Sequence, residues 1–172
     1  MQDYVKNSGS FVYLENKVHK LEYGDHSLLL YGTPWTAKYG SGWKAFQIPR
    51  ETLPEKWETI PSNIDILVTH MPPFGVRDSN ARGEKSGCKS LRKTVSKIKP
   101  KLHVFGHIHE GYGIQVQDGI MFVNAASVKN GSTTMNPPIV LEFDLMKRRI
   151  VQFIPGPAHA LQQLVKSREG LK

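Results

Sequence analysis

Two histidines, His107 and His109, follow a short apolar run, Leu102-His103-Val104-Phe105, across a single glycine, Gly106. A third, His70, closes another such run, Ile64-Asp65-Ile66-Leu67-Val68-Thr69, and leads into Met71-Pro72-Pro73. Both patterns read as a buried strand with a histidine at its C-terminal end and a loop beyond. In α/β folds the strand ends aim side chains into the crevice where ligands bind. A neutral imidazole offers a lone pair to divalent ions of intermediate hardness without adding charge. Three of them delivered to one place would form part of a metal site. Taken singly, each histidine reads better as a packed structural residue than as a ligand. The pair argues for more: two positions apart on an extended segment, His107 and His109 would face the same side. Gly106 would allow a tight turn or a close backbone approach beside them.

The elements that must position these side chains follow from periodicity. Residues 11–14, 18–23 and 27–31 read as short strands, and Gly24-Asp25-His26 between the last two reads as a hairpin turn. Leu53, Trp57 and Ile60 are spaced four and three apart, which predicts a short helix between Pro49 and Thr59 with Pro54 in its first turn. The nearly all-apolar run at 64–69 predicts a central strand buried on both faces. A glycine-containing loop, 74–87, follows. Cys88, Leu91, Val95 and Ile98 then form one apolar helical stripe with Lys89, Arg92, Lys93 and Lys97 outside it, and Pro100 ends the helix. Strand, helix, strand is a right-handed βαβ crossover between parallel neighbours. Beyond the histidine pair, 114–116, 120–125, 139–143 and 149–154 read as strands of an antiparallel meander, with Gln117-Asp118-Gly119 as a hairpin signal. Pro157 opens a predicted terminal helix carrying Leu161, Leu164 and Val165. The fold class expected is α/β, a single domain over 1–172 with its core at 11–155 and a terminal helix or tail at 156–172.

Composition narrows the partners. A chain of 172 residues with 39% hydrophobic and 22% charged residues can bury one real core. The single cysteine, Cys88, excludes an internal disulfide and suits a reducing compartment. The first ten residues are polar, and no apolar run approaches the roughly 18 residues of a membrane helix. A cytoplasmic protein with no membrane association is therefore expected. The net charge of +8 invites nucleic acid. However, its clusters, Arg92-Lys93-Lys97-Lys99-Lys101 and Lys147-Arg148-Arg149, fit a solvated helix face and a turn. No aromatic platform accompanies them, so no specific nucleic-acid binding is expected.

The order Thr69-His70-Met71-Pro72-Pro73, helix, strand, Gly106-His107-Ile108-His109-Glu110 resembles the calcineurin-like metallophosphoesterases. Leu30-Tyr31-Gly32-Thr33-Pro34-Trp35-Thr36, Pro100 to Gly106, Glu110-Gly111-Tyr112-Gly113 and Asn136-Pro137-Pro138-Ile139 extend the resemblance to their metallophosphoesterase-domain-containing branch, over roughly residues 11 to 145. The resemblance implies part of a four-layer α/β-β/α sandwich. It also implies a metal-dependent phosphoesterase, hydrolysing phosphodiesters at a dinuclear site of divalent ions (Mn, Fe or Zn). His70 and His107 would belong to one metal and His109 to the other. The substrate class implied is a small-molecule phosphoester, a nucleotide among the candidates. The family's Asp-x-His and its Gly-Asn-His with the catalytic histidine are not found in this sequence, and Gly24-Asp25, which resembles its bridging Gly-Asp, reads as the hairpin turn instead, so no catalytic residue is identified. The expectation is a C-terminal half of such a domain: active once the missing ligands are supplied, or else an inactive truncated or degenerate homologue that binds metal, nucleotide or a protein partner. An uncovered sheet surface would favour self-association.

Around the three histidines, Arg77, Trp35 and Asn124 are candidates for substrate contact: a phosphate-binding arginine, a pocket wall and a polar lining residue. Arg77 reads at least as well as a surface arginine and Trp35 equally well as a packing residue, while for Asn124 a hydrogen-bonded turn residue is the better reading. Glu110 and His103 are candidates for supporting the ligands from behind. His19, His26 and His159 match no ligand position, and Cys88 belongs to the core stripe.

Overall fold

In the computed structural model the chain is described over residues 11–42, 45–129 and 133–155, with backbone only for 152–155. β1 (Lys17–Tyr23) and β2 (His26–Thr33) form an antiparallel hairpin around Gly24, whose φ of +56° suits the tight turn. Two short paired segments, β3 (Thr36–Ala37) and β4 (Gln47–Ile48), lead through a 3-10 turn at Arg50–Thr52 into α1 (Leu53–Glu58). β5 (Ile66–Thr69), α2 (Lys89–Ile98) and β6 (Leu102–Phe105) complete the crossover. β7 (Gly113–Gln117), β8 (Ile120–Asn124), β9 (Ile139–Asp144) and β10 (Arg149–Pro155) follow.

The six-stranded sheet has the order β1-β2-β5-β6-β8-β7. Its four central strands are parallel, and the hairpin partners β1 and β7 run antiparallel at the edges. The C-terminal strands are antiparallel in two separate hairpins. β8 inserts beside β6 in parallel and leaves β7 at the edge, while β9 and β10 form a sheet of their own. The reason lies in β8 itself: Ile120, Phe122, Val123 and Asn124 are all buried, on both faces, so the strand belongs in the sheet interior. Asp118 and Gly119, both at positive φ, make its turn.

Leu53 and Trp57 of α1 and Leu91 and Val95 of α2 pack with Tyr31, Leu67, Phe105 and Phe122 from one sheet face into the main core. Burying each such side chain is worth about 1.5–3 kcal/mol. Cys88 caps α2, buried beneath the Trp57 indole, which donates to its sulfur at 3.3 Å. Lys99, left-handed at φ +48°, ends the helix one residue before Pro100. Residues 11–14 are not a strand: Leu14 lies over Gly32, where a β-carbon would leave it no room, and covers the sheet from above. Asp65 ties the C-terminal hairpin to the sheet, accepting from Leu29 N at 3.0 Å and from Arg148 at 2.5 Å. The expected terminal helix with Leu161, Leu164 and Val165 lies outside the described residues.

Candidate metal centre

His70 follows β5 directly, and His107 stands two residues beyond β6, its parallel neighbour, so the register of two paired strands brings them together. His70 Nε2 and His107 Nδ1 lie 2.9 Å apart, with the rings edge-on. Two nitrogens each about 2.1 Å from one ion at a right angle are separated by about 3.0 Å, so this spacing fits two ligands of a single divalent ion. One of the two nitrogens must donate to the other at this distance, so ligation by both needs a shift of tautomer in the donating ring. Partial burial holds the His70 pKa below its ordinary value, favouring the neutral, ligating form. Tyr39 stands edge-on to His107 at 5.0 Å.

His109 lines the same cavity, about 340 Å³, together with Tyr39, His70, His107 and Ser127. It does not join the pair, however. Among the described residues no group of three or more His, Cys, Asp or Glu side chains is arranged to hold a metal ion. The extended geometry expected for 106–109 is not what forms. His107 is left-handed at φ +68°, and His109 opens a 3-10 turn, His109–Gly111, so the alternation that would align the two rings is broken. A non-glycine residue at that φ is unusual and is held there by its surroundings, as functional loops often are.

What holds this loop is Asn124, which the sequence offered as a polar lining residue and, better, as a hydrogen-bonded turn residue. It is fully buried at the end of β8 and touches no cavity around the histidines. Its Nδ2 donates to Ile108 O at 2.8 Å and to Arg77 O at 3.1 Å, and its Oδ1 accepts from Ala126 N at 3.0 Å. Gly111 fits below because a β-carbon there would strike the Arg77 carbonyl. Asn124 therefore clasps three loops instead of lining the site. Arg77 does not line the histidine cavities either: its guanidinium packs on Gly113, and its own φ is +50°. Trp35 packs against the core, edge-on to Phe46 and under Lys56 Nζ, with its indole donating to Asn16. Glu110 is exposed and lines a second, larger cavity of about 840 Å³, shared by His107, His109, Tyr39 and Arg50. The loop 74–87 is ordered by buried Asp78, which accepts from Gly75 N and Gly87 N at 2.9 and 3.1 Å.

His103 stands behind His70. It is fully buried, with Nε2 2.9 Å from Thr69 Oγ1. That hydroxyl donates to Met71 O at 2.8 Å, so His103 must donate from Nε2, leaving a bare Nδ1 without a partner. Burial pushes its pKa down to about 3. A folded pKa below the unfolded value means that the unfolded chain binds the proton first. The associated stability is present above pH 6.5 and is lost as the pH falls toward 3, at about 1.4 kcal/mol per pH unit. His103→Gln keeps a donor but cannot titrate. Between pH 7 and pH 5 the wild-type protein is expected to lose about 2 kcal/mol more than this variant in urea unfolding. Equal losses would contradict the assignment.

The sequence as a whole matches the calcineurin-like phosphoesterases over residues 2–111, well over half the chain. The chain belongs to that family. Calcineurin-like phosphoesterases are hydrolases of ester bonds and use divalent metal ions. Metallophosphoesterase domain-containing protein 1 of Homo sapiens is 43% identical over 116 residues, 66% of this chain and 35% of that protein. UPF0046 protein T07D4.2 of Caenorhabditis elegans is 39% identical over 133 residues, 76% of this chain and 32% of that one. The chain thus spans about a third of the length of these curated relatives. One solved crystal structure, 14% identical, superposes with a TM-score of 0.52 over 83% of this chain and 53% of its own, which supports the mixed α/β fold. No helix among the described residues is long and apolar enough to cross a membrane.

Proposed function

We propose that this chain carries the histidine half of a dinuclear phosphoesterase site, with His70 and His107 on one metal and His109 on the other, and that the reaction is phosphodiester hydrolysis. The observation that supports this most is the 2.9 Å approach of His70 Nε2 to His107 Nδ1 at the ends of two parallel strands. Divalent ions (Mn, Fe or Zn) would supply Lewis-acid activation of water and a clamp on the phosphate oxygens. The chain's own residues would present neutral imidazoles, each keeping its N–H on the ring nitrogen turned away from the ion, and hold the His107 loop rigid through Asn124. A small-molecule phosphoester, with nucleotides among the candidates, fits the adjoining cavities, whose volumes are those of small-ligand sites.

The Asp-x-His and Gly-Asn-His motifs are absent from this sequence. The polypeptide 1–172 is therefore expected to hydrolyse a generic aryl phosphodiester barely above the metal-only background. A polypeptide extended by a segment bearing those motifs should turn over well. Robust turnover by 1–172 alone, abolished by His107→Ala, would show that the active site is complete without them.

A second reading, an interaction domain, is favoured by β1. This edge strand is exposed along nearly its whole length and carries Val18, Leu21 and Tyr23 in the open. Open apolar edges recruit further strands. We propose self-association through it. The sedimentation mass of 1–172 should exceed the monomer's and return to it in Leu21→Lys; a monomeric wild-type chain would refute this.

A further inference from the structure

The 840 Å³ cavity beside the histidines is far larger than a phosphate group needs, and its histidines and its Arg50 adjoin two different neighbouring cavities. His107 and His109 line it and also the 340 Å³ cavity that holds His70, whereas Lys38, Arg50, Lys85, Glu84 and Glu110 line it outside that cavity. Arg50 and Lys85 continue into a neighbouring cavity of about 470 Å³, where Lys89 joins them and no carboxylate appears in the lining.

The bonding of these charges differs. Lys85 is engaged by Asp78 at 3.5 Å and by Ser79 Oγ at 2.9 Å. Glu84 accepts from Asn80 at 3.0 Å. Arg50 heads the 3-10 turn after Pro49, and its Nη1 donates to the neutral Gly87 carbonyl at 3.2 Å. It takes part in none of the ion pairs among the described residues. The carbonyl bond fixes the direction of the guanidinium but leaves its charge uncompensated. A planar fork held in this way is suited to an incoming carboxylate or phosphate.

We infer that Arg50 forms an anion subsite of this cavity, and that the ligand of this site is an organic phosphate carrying a second acidic group away from the phosphoester. This rests on the histidine end being the phosphoester site. The second group, carboxylate or phosphate, meets Arg50 while the first meets the histidines. Arg50 then selects among phosphoesters by their far end.

The test uses three open-chain six-carbon probes with Mn²⁺ present: a hexitol monophosphate, the hexonate phosphate that differs by a terminal carboxylate, and the hexitol bisphosphate. Calorimetric or NMR titration of the protein should show at least one of the doubly acidic probes binding about tenfold or more tighter than the monophosphate, as a charge-assisted bond would give. Which of the two is favoured identifies the second group. Arg50→Gln should close that gap to within about twofold, and Arg50→Lys should keep part of it. Equal affinities in the wild-type protein, or a gap that survives Arg50→Gln, would overturn the subsite alone. Binding of all three probes undiminished by His107→Ala, or no binding of any of them, would instead show that the histidine end does not hold the phosphoester, and the subsite would fall with it.

Discussion

Replacing His107 by alanine is expected to weaken divalent-metal binding by at least about 100-fold, read by equilibrium dialysis with Mn²⁺ or Zn²⁺. Loss of groups that merely orient a ligand costs 10–100-fold, so loss of one of two facing donors should lie at or beyond that range. His70→Ala should do the same, because either change leaves a single imidazole where two nitrogens lie 2.9 Å apart. His26→Ala, on the exposed start of β2, should change nothing. The wild-type polypeptide is expected to hold at most one ion, weakly, since no carboxylate joins the pair in a metal-holding group among the described residues. Two tightly retained ions in metal analysis would refute that stoichiometry.

Asn124→Leu is expected to be among the most damaging single changes in the molecule. The leucine matches the volume but strands the Arg77 carbonyl and the buried Ala126 amide, and leaves the Ile108 carbonyl only its bond from Gly111 N. Unsatisfied buried groups cost about 1–3 kcal/mol each, so a loss on the order of 3–5 kcal/mol is expected. For a chain of this size that corresponds to a melting temperature lower by roughly 10 °C. Because Ile108 follows His107, metal affinity should fall as well, although Asn124 touches no ligand. A loss below about 1 kcal/mol, or intact metal affinity in the folded variant, would show that the clasp does not set the loop.

The parts of this arrangement that were legible in the sequence are those written in local pattern. The apolar runs at 64–69 and 102–105 and the stripe Cys88, Leu91, Val95, Ile98 dictate strand, strand and helix. Their parallel pairing then places His70 near His107. Gly24-Asp25 was legible as a turn because glycine tolerates the φ of +56° that the hairpin needs. What escaped notice depends on partners far along the chain. Nothing near Asn124 signals that its amide will meet carbonyls at 77 and 108, or near Asp78 that it will close a loop onto Gly87. Phe11 to Leu14 carries a strand-like composition, yet Leu14 packs over Gly32 instead of pairing. The same-side reading of His107 and His109 assumed extended backbone, and the positive φ of His107 removed that assumption. Tyr39 and Arg50 attract no attention as residues; their place in the lining of one cavity with the histidines comes from the folding of loops.

The claim on which the account depends is that His70 and His107 together bind one ion, and imidazole ¹⁵N NMR during Zn²⁺ titration addresses it atom by atom. His70 Nε2 and His107 Nδ1 are expected to move together to metal-bound shifts at one equivalent, while buried His103 and exposed His26 stay where they are. Shifts confined to other histidines, or to only one of the pair, would contradict it.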